Sequence, residues 1–167
     1  MKADEVLTAH HDILRGLLRD LAQTADDQTE LRSRLRDDLL RELEIHTQME
    51  DELFYPAVRD VSPRLSVAHA EHRQIDDQLA TVMRMSVDDP EFRTEVRMLE
   101  KTLRHHTMEE EERMFPQAQA LGEERLRRLG AQLEQRQREL AASGGMRLII
   151  RLKRATLRLT GGHRVRP

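Results

Sequence analysis

Two short stretches of this sequence carry the residues that could do chemistry. IHTQMEDELFYPAV begins at Ile45 and HHTMEEEERMFPQA begins at His105. Aligned on each other, His46 matches His106, Glu50 matches Glu110 and Pro56 matches Pro116, each at an offset of 60. A histidine and a glutamate four residues apart lie about one helical turn apart on the same face, so both can reach one point. In each stretch the pair continues an apolar helical stripe. The stripes are Leu35, Leu39, Leu43, His46, Glu50, Leu53 and Phe92, Val96, Leu99, Leu103, His106, Glu110. A carboxylate on a core-facing stripe is costly to bury unless it is paired or bound to metal, and two facing one core would also repel. Cations answer both costs.

Upstream of each pair lies one more core histidine. His11 precedes His46, and His72 precedes His106. The stripes around them, His11, Leu14, Leu18, Leu21 and His72, Ile75, Leu79, Val82, correspond at an offset of 61. The candidate metal ligands are therefore His11, His46, Glu50, His72, His106 and Glu110. Imidazole and carboxylate without thiolate suit iron or manganese, while zinc more usually takes a closed four-ligand site. His10 and His105 fall on the flanks of their stripes, as outer partners or solvent-facing residues. His69 shares a face with His72 and is a rival seventh ligand, and His163 lies in the tail. Tyr55 on an ideal helix points away from Glu50 and is expected to pack rather than ligate. Glu109, Glu111 and Glu112 read as a solvated face.

The elements that must position these residues are helices. Aromatics make up only 2% of the 167 residues and the charged fraction is 35%. Leu, Arg, Glu, Ala and Gln dominate, which disfavours a sheet and favours helix. Periodicity predicts helices over about 3–24, 30–58, a third opening after Ser62-Pro63, a fourth opening at Asp89-Pro90, and a fifth, charged one over about 123–141 that packs less obviously. In the third and fourth the proline is expected at the first helical position. The duplicated pair of helices predicts an all-α fold, an antiparallel four-helix bundle with an approximate twofold axis and an additional C-terminal helix. The expected organisation is the bundle over 1–121, the charged helix over 122–142 and a basic tail over 143–167.

Composition excludes some functions. There is no cysteine, hence no disulfide, thiolate zinc site, cysteine-ligated cluster or cysteine nucleophile. No apolar run approaches the ~20 residues of a membrane span, and the N-terminus lacks a signal-peptide stretch, so a cytoplasmic protein is expected. From Leu140 onward there are seven Lys or Arg and no acid, while the remaining 21 basic and 31 acidic residues give −10. In the tail, Leu148, Leu152, Ala155 and Leu159 form an apolar stripe beside Arg147, Arg151, Arg154 and Arg158. Such a segment suits an anionic membrane surface, an acidic partner or the chain's own acidic bundle. No nucleic-acid recognition motif is present, so that partner class is not expected.

The pattern His11…His46-x-x-x-Glu50…His72…His106-x-x-x-Glu110, with LFYP and MFP after the two glutamates, resembles the hemerythrin-like HHE cation-binding domain over about 4–120. The resemblance implies two iron ions, Fe2+ or Fe3+, with oxygen-derived and carboxylate bridges, Glu50 and Glu110 being the bridging ligands. Oxygen-carrying members have a second histidine four residues on in the third helix, where Asp76 stands here, and a longer final spacing to an aspartate. The pattern present here is linked to oxygen, nitric oxide or peroxide chemistry and to iron handling. The expected function is binding or turnover of hydrogen peroxide, oxygen or nitric oxide at a di-iron centre, including a catalase- or peroxidase-like activity. The alternative is an oxygen, redox or iron sensor without turnover, signalling through the C-terminal helix and tail.

Overall fold

The computed structural model describes residues 1–143, and the basic segment beyond them, with its two stripes and His163, lies outside the described residues. Helix α1 spans Ala3–Gln23. Helix α2 runs as one rod through Thr29–Met49, a wide turn at Glu50–Phe54 and a last turn at Tyr55–Val58. Helix α3 spans Leu65–Arg84. Helix α4 repeats the design of α2, with Phe92–Glu109, a wide turn at Glu110–Met114 and Phe115–Ala118. Helix α5 spans Glu123–Ala142. No strand occurs among the described residues.

Amphipathic stripes drive the assembly. Leu14, Leu18 and Leu21 of α1 meet Leu39, Leu40 and Leu43 of α2, Ile75, Leu79 and Val82 of α3, and Phe92, Val96, Leu99 and Leu103 of α4 in one buried cluster. A second cluster lies at the other end of the bundle and includes Leu7, Ile45, Met49, Phe54, Tyr55 and Phe115. The polar site residues sit where the two apolar clusters meet along the stripes. At the end away from the second cluster, fully buried Arg32 closes the bundle. Its guanidinium donates to Thr24 Oγ1, the Thr24 and Val87 carbonyls and Asp26, so the buried charge is fully partnered.

The helix starts differ from expectation. Ser62-Pro63 and Asp89-Pro90 form turns, and the helices begin at Leu65 and Phe92. The Ser62 hydroxyl accepts from Arg64 N–H and the Asp89 carboxylate from Glu91 N–H, so each side chain organises the entry turn instead of capping a proline-led first turn. Helix α5 also packs better than its charge suggests. Leu126, Leu129, Leu133 and Leu140 are buried in the second cluster beside Ala3, Val6 and Leu7. Gly130 permits the approach, since a Cβ there would lie 2.3 Å from the Met1 carbonyl oxygen. Gly122, at φ 82°, supplies the left-handed residue that lets the chain leave α4 and enter α5. No described helix is long and apolar enough to cross a membrane.

Candidate metal centre

Proline explains the wide turns of α2 and α4. Pro56 and Pro116 have no N–H, and in a regular α-helix each ring would press on the carbonyl four residues back. The helix instead widens just before each proline, with Tyr55 N–H donating to the Glu50 carbonyl and Phe115 N–H to that of Glu110, five residues back. Wide turns of this kind recur at functional sites. Here each one starts at a candidate ligand and changes the phase of everything after it.

All six candidate ligands converge. His11, Glu50 and His106 are 0% exposed, His46 and Glu110 1% and His72 8%. Their ligand atoms form two overlapping groups, His46, Glu50, His72, His106 and His11, His46, Glu50, Glu110. Within each group the atoms lie within 4.8 Å of one another. The Nε2 atoms of His72 and His106 face each other at 3.1 Å. His11 Nε2 lies 3.3 Å from Glu110 Oε2, and His46 Nε2 lies 3.3 Å from Glu50 Oε2.

The donor set fits a metal. His11 Nε2, His46 Nε2, Glu50 Oε1 and Glu110 Oε2 are buried and have no hydrogen-bond partner. Buried polar atoms are almost always satisfied, and four orphans aimed into one small space call for a cation. Outer contacts point the same way. Carboxylates only accept, so the Nδ1 atoms of His11 and His106 carry the protons they donate to Glu111 at 2.7 Å and Glu71 at 3.1 Å. That leaves both Nε2 lone pairs for the centre, the usual arrangement of a metal-binding histidine.

The electrostatics describe the metal-free cluster. Burial alone would lower the His11 pKa, but Glu110, Glu111 and Glu50 outweigh it and hold it well above the usual value. Burial opposes charge on Glu50, yet His46, His11 and His72 keep its carboxyl well below the normal range. Burial and the Glu50 charge push the Glu110 carboxyl up. Burial lowers His46 well below the ordinary imidazole value, with Glu50 pulling the other way and the charges of His11, His10 and His106 adding to the fall. Protons thus stand in for part of the positive charge that the two carboxylates need.

Two sequence expectations change, and the open question of His69 is answered. Tyr55 does not merely pack: its hydroxyl lies 2.9 Å from Glu110 Oε1, 3.2 Å from Glu50 Oε2 and 3.2 Å from His72 Nε2. Five residues of regular helix would turn it ~140° from Glu50, and the wide turn brings it back. Glu111 is not simply a solvated face, since it bonds His11 and Arg15. His69 stays outside the cluster, half exposed, beside Asp51 at 3.6 Å and edge-on to the Tyr55 ring. His105 is 68% exposed and lies 3.4 Å from Glu71. Asp76 is exposed.

With this geometry, the comparisons with known proteins agree. The family model described as the hemerythrin HHE cation binding domain matches residues 2–118. The chain belongs to that family. Uncharacterised proteins of Mycobacterium tuberculosis and Mycobacterium bovis are 40% identical over 116 residues, covering 70% of this chain and 71% of theirs. A crystal structure of a hemerythrin HHE cation binding domain-containing protein from Mycobacterium kansasii superposes with a TM-score of 0.71 at 34% identity, over 90% of this chain and 98% of that one. The buried His/Glu cluster, drawn from all four helices of the bundle, is the candidate cation site of this HHE domain.

Proposed function

We propose that this HHE protein holds two iron ions and binds or turns over a small oxygen-derived ligand, namely hydrogen peroxide, oxygen or nitric oxide. The observation that carries this reading is the pair of overlapping four-residue groups sharing His46 and Glu50. Two neighbouring positions that the two oxygens of Glu50 can serve together, with His46 on one of them, fit a dinuclear centre better than a single ion. His11, His46, His72 and His106 would supply the imidazole ligands, and Glu50 and Glu110 the carboxylate ligands. Iron would supply a ferrous/ferric couple and a coordination position that six side chains leave unfilled.

The protein's own residues then set access and protons. In the metal-free protein Tyr55 holds its proton at the hydroxyl, because burial and the charges of Glu50 and Glu110 strongly disfavour the phenolate. That hydroxyl touches both glutamates and offers one hydrogen bond at the centre. Phe54 and Phe115 pack edge to face, with Phe115 stacked 5.9 Å from His11, and shut out bulk water. A surface groove of about 760 Å³, lined in part by Thr8, Asp12, Glu111 and Phe115, ends against that layer. It is wide enough for a small ligand to approach, and Glu111 joins it to His11. Peroxide decomposition by iron-loaded protein tests the reading. Activity that disappears in His46→Ala and Glu110→Ala supports it, and iron-loaded protein inert to all three ligands refutes it.

A sensing role without turnover is favoured by one specific contact. Arg136 of α5 makes a two-pronged bond to Glu52, at 2.7 and 2.9 Å, inside the wide turn that begins at Glu50. A change at Glu50 would reach α5 through that turn. Hydrogen exchange in α5 that differs between oxidised and reduced protein supports this version, and identical exchange removes it.

A further inference from the structure

The duplication extends beyond the six candidate ligands, and one half of it carries a clamp that the other lacks. Arg15 stands one helical turn after His11 on α1. Its guanidinium reaches across to α4, where Nη1 donates to Thr107 Oγ1 at 3.1 Å and to Glu111 Oε1 at 3.0 Å. Its Nη2 donates to Asp12 Oδ1 at 2.8 Å. Glu111 Oε1 is the same oxygen that meets His11 Nδ1 at 2.7 Å. That carboxylate is therefore pinned between a guanidinium on one side and a candidate ligand on the other. Thr107 is 0% exposed and gives its hydroxyl proton to the Arg104 carbonyl at 3.2 Å, so its oxygen is left to accept from Arg15.

The other half is built from the same positions with different residues. The offset of 61 sets Arg73 opposite Asp12 and Asp76 opposite Arg15, and the offset of 60 sets Asp51 opposite Glu111. The charges on α3 are thus the reverse of those on α1, and both Arg73 and Asp76 are exposed. Asp51 is one methylene shorter than Glu111 and stands 4.0 Å from His72 Nδ1, beyond hydrogen-bond distance. A partly exposed ion pair alone contributes little. Arg15 differs because three acceptors on two helices share one rigid fork, and one of them holds a candidate ligand.

We propose that Arg15 is a positioning residue for the His11 half of the centre. Its guanidinium pins Glu111 across the seam between α1 and α4, and Glu111 in turn fixes the His11 ring. The inference rests on the metal-centre reading for what the ring is held toward. Its own content is an asymmetry between the two metal positions. His11 belongs to only one of the two ligand groups, so a change at Arg15 reaches one position and leaves the other.

Ferrous iron affinity and Mössbauer spectra of the full-length protein test it. Arg15→Met keeps the aliphatic stem and drops every donor, and should weaken iron binding about 10–100-fold, the usual cost of losing a ligand's outer partner. Arg15→Lys keeps the charge without the planar fork and should fall between Arg15→Met and wild type. Added to Glu111→Ala, Arg15→Met should weaken binding no further, because the carboxylate it positions is gone. Asp12→Asn loosens only the exposed end of the fork and should leave the affinity unchanged. In the spectra, Arg15→Met should shift one of the two iron signals and leave the other in place, which a general loss of packing would not do. Losses that add in the double variant, an equal loss in Asp12→Asn, a shift of both signals or of neither, or wild-type affinity in Arg15→Met overturns the proposal. Wild-type protein that retains no iron overturns the metal-centre reading and this inference with it, so the wild-type titration separates the two failures.

Discussion

The hydroxyl of Tyr55 lies 2.9 Å from Glu110 Oε1, joining the wide turn of α2 to that of α4 across the bundle. The contact ties the two halves of the duplication, in which Tyr55 corresponds to Phe115. Replacing Tyr55 by Phe keeps the ring packed and removes a polar partner from two buried carboxylates. The metal-free Tyr55→Phe protein should lose about 1–3 kcal/mol in urea unfolding. Iron loading should recover part of it, because metal would meet the same need of Glu50 and Glu110. Equal losses in both forms would place the hydroxyl outside the metal's influence.

The candidate ligands separate cleanly from their rivals. His11→Ala, His72→Ala and His106→Ala should each lose most bound iron by elemental analysis. His69→Ala and His105→Ala should retain it, since His69 is half exposed, His105 largely exposed, and both lie outside the two ligand groups. Iron loss in His69→Ala equal to that in His72→Ala would mean that the site extends to the α2–α3 surface.

The protonated histidines predict a pH signature. The folded pKa values of His11 and His72 are raised from 6.5 in the metal-free protein; in each case burial works against the shift, and Glu110 for His11 and Glu50 for His72 lead the contacts that overcome it. A raised folded pKa gives stability that is fully present below the unfolded value and is lost as pH rises through the folded one. Metal-free protein should therefore melt at progressively lower temperature as pH rises from about 6.5. Iron-loaded protein should not show that decline, because metal replaces those protons, and its affinity should rise with pH. Parallel melts across this range check both signs.

Much of this was legible in the sequence. The offset of 60 between His46-x-x-x-Glu50 and His106-x-x-x-Glu110, carried on apolar stripes, gave the four-helix plan and the six residues that meet. Tyr55 was not, because helical phase was extrapolated through a proline-induced wide turn that shifts it. Glu111 was read by its charged neighbours, although its place beside His11 depends on how α1 and α4 pack. The burial of α5 depended on Gly130, whose value appears only when the N-terminus lies against it. Its leucines at 126, 129, 133 and 140 held the signal.

Gly130 gives a test of that packing. A Cβ at this position would lie 2.3 Å from the Met1 oxygen and 2.8 Å from the Lys2 carbonyl carbon, both backbone atoms. Gly130→Ala should destabilise the protein by about 1–3 kcal/mol through forced displacement of the N-terminus, read by urea denaturation. An unchanged midpoint would show that the N-terminal residues yield at no cost.

The most direct test of the central claim is an anaerobic ferrous iron titration of metal-free protein, followed by elemental analysis after desalting. A dinuclear centre predicts about two irons retained per chain, with severe loss in Glu50→Ala, whose carboxylate both ligand groups share. One iron per chain would contradict the dinuclear reading. Retention unchanged in Glu50→Ala would contradict the site itself.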